Sequence, residues 1–456
     1  MLVNGCNFEM VIDMPGNDGK PSEANALGKT PRSESAFHTP PAAAPGKSLV
    51  GVPLWKMLML VAGPGLVVML ADTDAGSAIT AAQSGAQFGY SLLMLQVLLI
   101  PILYIVQELT VRLGLATQKG HGELISTTFG KAWAWLSVST LMISCIGALL
   151  TEFAGIEGVG RLFGVAPWVS IGLTILFMVV VVGTGSYRQV EIVAMLIGMF
   201  ELAFVAVAMV SHPSPAAMIG AVITQPIHNP DYLFLIAGNV GAVIMPWMVF
   251  YQQSAVIDKG LNISHIKPAR FDTAVGAMIT QIIMASVLIL TAATIGRTNP
   301  HTPLNTVQQI ATALTPILGS SWGRVIFALG MLGAAWVATI VVSLTAAWGL
   351  GEVTGYKRSL AHHPFEAPWF YGVYLMCLLI GAGIVLSGVN LVRLTVTVEV
   401  MNALLLPIVL GFLFMLARKA LPDPWRLKGR YAWVVGFVVL LTSVVGVYAG
   451  VAGLWN

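Results

Sequence analysis

The stretch GPGLVVMLADTDAGSAITAAQSG at residues 63–85 decides the fold, because a polar cluster interrupts an apolar run long enough to cross a membrane. The cluster contains Asp72 and Asp74 and is followed by Gly76. An ionised carboxylate deep in a bilayer costs at least about 2.5–3.5 kcal/mol, so it needs a cation, a protein partner or an aqueous path. The stretch therefore predicts an interrupted membrane span with an acidic cluster that requires a counter-charge.

A second interrupted run, AGNVGAVIMPWMVFYQQSA at residues 237–255, carries Gly241 and Pro246 near its middle. Proline removes a backbone hydrogen bond and clashes with the preceding helical turn. For one break alone, a simple kink at Pro246 or close helix packing at Gly76 is the more ordinary explanation. Two breaks that lie five spans apart, one of them acidic, favour inverted repeats with broken helices at Gly76 and Pro246 and a binding site near the bilayer midplane.

The composition is that of a membrane protein, with 57% hydrophobic and 9% charged residues. Soluble domains have roughly 45–50% and 25%. This excludes a secreted disulfide scaffold, a nucleic-acid module and a soluble enzyme.

Runs of about 20 apolar residues match a hydrocarbon core of about 30 Å. We count eleven apolar segments, centred on residues 54–88 (interrupted), 91–111, 132–155, 166–184, 190–210, 233–256 (interrupted), 272–295, 325–349, 369–387, 394–416 and 432–453.

The distribution of basic residues predicts the orientation. Most of the 23 Lys and Arg residues lie in the N-terminal segment or in connections that are cytoplasmic if the N-terminus is inside. The outer connections hold only Arg161, Arg297, Arg324 and Arg393. The positive-inside rule then places the N-terminus in the cytoplasm and, after eleven spans, the C-terminus outside the cell membrane.

Residues 1–46, rich in Pro, Gly, Ser, Asn and Ala, are predicted to be a disordered cytoplasmic tail, and 47–456 the transmembrane domain.

Acidic residues without basic partners indicate a cation path. Besides Asp74, the acids at membrane depth are Glu152, Glu157, Glu201 and Glu399, and no Lys, Arg or His lies in the central part of a predicted span. An anion or neutral-solute carrier would instead use Arg or helix N-termini. Asp72 fits a supporting role in the site, a vestibule that attracts cations, or a wetted helix end equally well.

These residues resemble the NRAMP family of divalent-metal transporters. The likeness runs from about residue 54 and includes GPGLVVMLADTDAGS, SGAQFGYSLL, VRLGLAT, GAVIMPW and GMLGAAWVAT. It implies an all-α polytopic protein with the LeuT-type fold. Two inverted repeats of five spans, at about 54–210 and 233–416, would be followed by an extra span at about 432–453.

The resemblance also implies a metal site. The family signature D-P-G-N stands here as Asp74-Ala75-Gly76-Ser77, and its M-P-H as Met245-Pro246-Trp247. Carried over by position, the ion would meet the Asp74 and Ser77 side chains, Met245, and the carbonyls of Ala71 and Ala242. Glu399 stands where the family usually has Gln and would line the same pocket. Asp72, Glu152 and Trp247 would support the site or line its vestibule.

The departures from the family pattern point to Mg²⁺. Ser77 is shorter than the family's Asn, and Glu399 adds a charge, so the pocket would be larger and more acidic and would suit a partly hydrated ion. Most residues associated with proton movement are replaced, by Trp247 and Gln252 in the sixth span and by Cys145 and Gly155 in the third. These changes resemble the divergent NRAMP-related magnesium transporters. Met245 disagrees, because its soft sulfur favours transition metals, unless it is apolar filler between helices.

The sequence therefore predicts a secondary transporter that imports Mg²⁺ and Mn²⁺ by alternating access without proton coupling. We expect no enzyme activity, no bound cofactor, and no nucleic-acid or protein partner beyond the bilayer and the transported ion. One alternative is a proton-coupled Mn²⁺/Fe²⁺ importer in which Met245 sets selectivity and Glu152 carries the proton. Others are a non-transporting metal sensor and a sodium-coupled solute carrier of the same fold.

Overall fold

The computed structural model describes residues 63–298, 303–312, 315–360, 362–388 and 391–454. The predicted tail at 1–46 and the beginning of the first predicted span, residues 54–62, therefore lie outside the described residues. The described residues form helices and connections, with no strand among them. We number the α-helices α1 Pro64–Asp72, α2 Ala75–Phe88, α3 Leu93–Thr117, α4 His121–Phe129, α5 Lys131–Leu162, α6 Pro167–Gly183, α7 Tyr187–Gly198, α8 Leu202–Val210, α9 Pro215–Ile223, α10 Pro230–Val243, α11 Pro246–Asp258, α12 Ile266–Ala293, α13 Ile295–Thr298, α14 Val307–Ala311, α15 Thr315–Thr354, α16 Pro368–Leu386, α17 Leu391–Lys419 and α18 Gly429–Leu454. Two 3₁₀ turns, Met199–Glu201 and Ile263–His265, join α7 to α8 and precede α12.

The predicted spans are present as helices. Within the described ranges, nine helical segments are long and apolar enough to cross a membrane. The shorter apolar helix α6 and the broken pair of α1, with 9 residues, and α2, with 14 residues, account for the other two predicted spans. The fold is therefore the all-α, eleven-span architecture that the sequence predicts, with the first and sixth spans broken.

The first break lies at Thr73 and Asp74, three residues before the predicted position at Gly76. α1 ends because the Thr73 N–H bonds back to the Leu70 carbonyl at 3.2 Å, and the Thr73 hydroxyl oxygen lies 2.8 Å from the same carbonyl oxygen. α2 starts because Asp74 is its N-cap and accepts a hydrogen bond of 2.6 Å from the Ser77 N–H. Since Asp is one of the best N-cap residues, the carboxylate rather than the glycine sets the break.

The second break lies at Ile244 and Met245, directly before the predicted position at Pro246. The Ile244 N–H closes the last turn of α10 on the Val240 carbonyl at 3.1 Å. Pro246 is the first residue of α11, the one helical position where a missing N–H costs nothing. Proline thus separates two well-formed half-helices instead of kinking one.

Glycines bring the helices around the breaks into contact. A Cβ on Gly241 would lie 1.8 Å from the Glu399 carbonyl oxygen, so α10 and α17 meet backbone to backbone. A Cβ on Gly155 would lie 2.5 Å from the Ala75 Cβ, which packs α5 against the start of α2. Large side chains such as Trp247 and Phe153 are fully buried. Both breaks therefore lie next to helix contacts that are close enough to require glycine.

Candidate metal-binding site

Asp74 is fully buried and lies at the centre of an acidic cluster. Its other members, each of which interacts electrostatically with Asp74, are Asp72, Glu152, Glu201 and Glu399. Its Oδ1 caps α2 through the Ser77 N–H, whereas its Oδ2 has no hydrogen-bond donor among the described residues. A buried carboxylate oxygen without a donor is costly. The geometry therefore leaves one oxygen of Asp74 available for a ligand.

Glu152, on α5, accepts a backbone hydrogen bond from the first residue of α2. Its Oε2 accepts the Ala75 N–H at 3.1 Å, and its Oε1 accepts the Thr151 hydroxyl at 3.0 Å. The same carboxylate lies beside that of Asp74. Both Glu152 oxygens therefore have protein donors in this conformation, and the supporting role of Glu152 in a metal site stays a prediction.

Glu399 enters the site from α17 and lies against the beginning of α2. A Cβ on Gly76 would lie 2.3 Å from Glu399 Oε1, so the carboxylate rests directly against the α2 backbone. Glu399 Oε2 accepts a hydrogen bond of 3.1 Å from Asn402, which in turn accepts one of 2.8 Å from Ser144. Oε1 has no donor within the described part of the chain. Gly76 is thus a position of close approach rather than the break itself.

Ser77 joins the two broken spans. Its hydroxyl donates a hydrogen bond of 2.9 Å to the carbonyl of Ala242, in the last turn of α10. In a continuous helix that carbonyl would accept from the residue four positions on, but Pro246 has no N–H. The carbonyl of Ala71 loses its helical donor in a similar way, because the Ala75 N–H is bonded to Glu152. Both carbonyls that the resemblance implies as ligands are therefore released from helical pairing.

Met245 lies at the second break, but its sulfur is engaged. The indole Nε1–H of Trp247 points at Met245 Sδ, 3.1 Å away, and both side chains are buried. A thioether is a weak acceptor. Trp247 therefore acts on the site through the sulfur, which the sequence alone did not indicate.

Two further acids adjoin the first break. Asp72 ends α1, and its Oδ2 accepts the Thr280 hydroxyl of α12 at 3.2 Å. Glu201, from the 3₁₀ turn between α7 and α8, accepts the hydroxyl of Thr73 through Oε2. Asp72 is therefore a buried member of the cluster, not a wetted helix end. Glu201, which sequence reasoning left without a role, faces the same break.

Among the described residues, the acids around the first break have no ion-pair partner. Asp72, Asp74, Glu201 and Glu399 each carry one buried oxygen that has no hydrogen-bond donor in the described ranges. None of the ion pairs seen among the described residues includes any of them or Glu152. Glu157 is different, because Arg161 pairs with it at 2.6 Å and removes it from the cluster.

The site is compact in this conformation. Asp74, Ser77 and Glu399 are fully buried, and no three His, Cys, Asp or Glu side chains of the described residues converge as a ready metal site. The larger pocket that the sequence predicts is therefore not open here.

Comparison with known proteins identifies the chain's relatives. The family model described as natural resistance-associated macrophage protein-like matches residues 65–452. The divalent metal cation transporter MntH of Klebsiella pneumoniae strain 342 is 25% identical over 399 residues, covering 85% of this chain and 93% of that protein. The MntH of Brucella suis biovar 1 is 27% identical over 294 residues, covering 62% of this chain and 64% of the relative. That of Ralstonia nicotianae is 28% identical over 301 residues, covering 62% and 66%. The alignments to these last two span just under two thirds of the relatives' length.

Solved structures give the same fold. The manganese transporter of Eremococcus coleocola superposes with a TM-score of 0.69 at 18% identity, covering 89% of this chain and 90% of that chain. A Na⁺-coupled sialic acid symporter has a TM-score of 0.57 at 14% identity, covering 88% and 96%. MhsT in complex with L-phenylalanine has a TM-score of 0.54 at 13% identity, covering 86% and 97%. These similarities establish the fold alone.

Proposed function

Since this chain belongs to the natural resistance-associated macrophage protein-like family, we propose that it is a divalent-metal importer that carries Mg²⁺, and also Mn²⁺, by alternating access without proton coupling. It would act in the cell membrane with its N-terminus in the cytoplasm. The relatives named divalent metal cation transporter and the manganese transporter of the same fold support the general activity. The site residues of this chain support the choice of ion and the absence of coupling.

The observation that carries the proposal is the set of buried carboxylate oxygens around the first break that have no donor in the described part of the chain. Asp74 and Glu399 reach the break from two different spans and interact electrostatically. Several like charges packed together in a low-dielectric interior repel one another strongly. A divalent cation relieves this repulsion, whereas an anion or a neutral solute does not.

The number and type of ligands favour Mg²⁺. Mg²⁺ gives up water reluctantly and is usually bound by one or two carboxylates while it keeps several waters. Asp74 and Glu399 supply two carboxylates, and the carbonyls of Ala71 and Ala242 supply further hard oxygen atoms. The carboxylate at Glu399, where the family usually has an amide, adds charge but no soft donor.

The state of Met245 supports the same choice. Soft thioether ligands select transition metals over Mg²⁺. Here the Trp247 indole Nε1 lies 3.1 Å from the Met245 sulfur and donates to one of its two lone pairs. A sulfur that already accepts a hydrogen bond is a poorer metal ligand, so the site selects less strongly for Mn²⁺ than its sequence suggests.

The side chains around the site also support uncoupled transport. Within the sixth span, Gln252 and Trp247 occupy the positions that carry His in the family pattern, and the Gln252 amide donates to Thr273 at 3.0 Å. Glu152, the remaining acid of the third span's proton path, has both oxygens bonded to protein donors. The proton-accepting side chains of the family pattern are therefore either replaced in this chain or hydrogen-bonded to protein donors in this conformation.

The membrane potential is a sufficient driving force for such a uniporter. One charge crossing 100 mV releases about 2.3 kcal/mol, so a divalent cation entering a negative cell interior gains about 4.6 kcal/mol. This energy supports an accumulation of roughly a thousandfold. An abundant ion such as Mg²⁺ needs no proton gradient in addition.

The test is ion uptake by the purified full chain in liposomes that contain a lumenal pH dye and a lumenal Mg²⁺ indicator. We expect Mg²⁺ to enter under an inside-negative potential without acidification of the lumen. Uptake accompanied by acidification would contradict uniport. Absence of Mg²⁺ entry in vesicles that do take up Mn²⁺ would contradict the choice of substrate.

The rival function is a proton-coupled Mn²⁺/Fe²⁺ importer, which the sulfur of Met245 at the second break favours. Competition separates the two functions. Excess Mg²⁺ should block Mn²⁺ uptake if both ions share the site. If a sulfur ligand selects the ion, excess Mg²⁺ should not inhibit Mn²⁺ uptake. Uptake of Ca²⁺ in parallel vesicles measures how far hard ions are discriminated.

A further inference from the structure

A cleft of about 680 Å³ lies between the end of α17 and the beginning of α18. Its volume is within the range of small-molecule sites, roughly 300–1,000 Å³. Side chains of two kinds form its walls. The basic ones are Arg418, Arg426 and Lys428, and the apolar ones include Phe414, Trp433, Phe437 and Leu440.

The basic side chains gather at one end of the cleft, where α17 gives way to the connection before α18. Arg418 holds its guanidinium carbon 5.9 Å from the centre of the Phe414 ring. Arg426 donates from Nε to the Leu421 carbonyl at 3.1 Å, which fixes the side chain. Lys428 pairs with Asp423 at 2.5 Å. One acid therefore opposes three basic groups, and this end of the cleft is positively charged.

The apolar side chains form a stripe that leads away from that end. Trp433, Phe437 and Leu440 follow one another at helical spacing on α18, and they are 82%, 64% and 63% exposed. From Gly429 to Leu440 the helix rises about 16 Å, which matches half of a hydrocarbon core of about 30 Å. The cleft is thus polar and basic at its mouth and apolar for the depth of one leaflet.

We propose that this cleft is a binding site for one anionic phospholipid, with its phosphate and acidic headgroup held by Arg418, Arg426 and Lys428 and an acyl chain lying along Trp433, Phe437 and Leu440. Charge complementarity carries the choice of occupant, since basic pockets at helix ends bind acidic headgroups. Arg additionally presents a planar fork of donors that suits a phosphate group. A zwitterionic lipid carries no net charge and would gain little from this end of the cleft.

The predicted orientation places this site in the inner leaflet, because the connection between the tenth and eleventh spans is predicted to be cytoplasmic. The occupant would link α17, which carries Glu399, to α18. The lipid site itself depends on neither the transported ion nor the coupling mechanism. Its test therefore succeeds or fails independently of the proposed function.

Native mass spectrometry of the purified full chain, released from detergent micelles that contain either dioleoyl phosphatidylglycerol or dioleoyl phosphatidylcholine at equal concentration, tests the proposal. We expect one phosphatidylglycerol to remain bound and phosphatidylcholine to be lost. Arg418→Gln/Lys428→Gln should weaken retention of phosphatidylglycerol by roughly tenfold. The matched control, Lys131→Gln/Lys267→Gln, removes two exposed basic groups outside the cleft and should retain the lipid as the unmodified chain does.

A second pair of variants tests the shape of the cleft without changing its charge. Ala432→Trp fills the space beside the headgroup end and should reduce bound phosphatidylglycerol. Val434→Trp adds the same ring to the same helix at a residue that does not line the cleft, and it should leave binding unchanged. Equal retention of the two lipids by the unmodified chain, or equal loss in the cleft and control variants, would overturn the proposal.

Discussion

The hydroxyl of Ser77 donates a hydrogen bond of 2.9 Å to the carbonyl of Ala242 and so joins the first broken span to the sixth. The bond exists because Pro246 cannot donate to that carbonyl, which leaves its oxygen free to accept from another element. A cation that approached the Ala242 carbonyl would share this oxygen with the hydroxyl or displace it. Ion binding at this carbonyl would therefore change the contact between the two half-helices.

Asp74→Asn should abolish uptake of Mg²⁺ while the protein stays folded. Asn is as good an N-cap as Asp, so the substituted side chain can still accept the Ser77 N–H and start α2. The change removes the negative charge that attracts the ion. Flux into liposomes measures uptake, and thermal unfolding in detergent checks the fold. Asp231→Asn, at an exposed acid in the first turn of α10, is the control, and wild-type flux in Asp74→Asn would remove the basis of the site.

Trp247→Phe should make the transporter more selective for Mn²⁺. Phenylalanine keeps the aromatic ring but has no N–H, so it frees the Met245 sulfur to act as a metal ligand. Loss of a hydrogen bond of ordinary strength to the sulfur should raise the apparent affinity for Mn²⁺ relative to Mg²⁺ by roughly threefold. Competition of Mg²⁺ against Mn²⁺ uptake measures the ratio. The double variant Met245→Leu/Trp247→Phe should lose the gain, and if it does not, the sulfur is not responsible.

Glu201→Gln should raise the Mg²⁺ concentration needed for half-maximal uptake by roughly tenfold. Glutamine can still accept the Thr73 hydroxyl, so the contact to the first break is kept while a negative charge that acts on Asp74 is lost. Thr73→Val is the matched variant, since it removes the hydrogen bond and keeps the charge. If Thr73→Val weakens apparent affinity more than Glu201→Gln does, Glu201 is structural and does not attract the ion.

Gly241→Ala should destabilise the protein by about 1–3 kcal/mol or more, the usual cost of overpacking. The added methyl would lie 1.8 Å from the backbone oxygen of Glu399, and backbone cannot rotate away as a flexible side chain can. α10 and α17 would have to separate at the site. Gly383→Ala, in α16, meets nothing within 4 Å and serves as the control. Unfolding temperatures that match in the two variants would show that the close contact is dispensable.

Much of this architecture was predictable because its causes are local in sequence. Pro246 dictates where α11 begins, and apolar runs of about 20 residues dictate the spans. The first break was misplaced by three residues because Gly76 looks like a helix breaker, whereas the capping of α2 by Asp74 decides the position. Gly76 instead makes room for Glu399, a contact that depends on how α17 packs.

The rest of the site depends on contacts between residues distant in sequence. Glu201 and Thr73 are 128 positions apart, and no periodicity or motif in a single sequence connects them. The bond between Trp247 and Met245 spans only two residues, yet it requires a particular rotamer of each side chain, which surrounding packing selects. The sequence thus indicates which residue types lie around the two breaks, but not which of their oxygen and sulfur atoms lack a hydrogen-bond donor.

Acid should destabilise the protein through His121, which begins the short helix α4 outside the spans. His121 is fully buried against Phe250, and its Nδ1 donates to Gln253 at 3.1 Å. Burial lowers the pKa of His121 from 6.5 to about 4, because the charged imidazolium is poorly solvated there. The unfolded chain binds a proton as the pH falls below about 6.5, whereas the folded chain does so only near pH 4. The contribution of His121 to the free energy of unfolding is therefore complete above about pH 6.5 and declines as the pH falls from there to about 4.

Unfolding temperatures of the purified chain at pH 7.5 and pH 5 measure this effect. Between these values the single histidine accounts for about 2 kcal/mol of lost stability. His121→Gln removes the titrating group, so the variant should lose less stability on acidification than the unmodified chain. His212→Gln, at a residue outside the buried core, controls for loss of a histidine in general. If His121→Gln and the unmodified chain lose the same stability on acidification, the buried imidazole is not the acid-sensitive group, and the decline arises elsewhere in the protein.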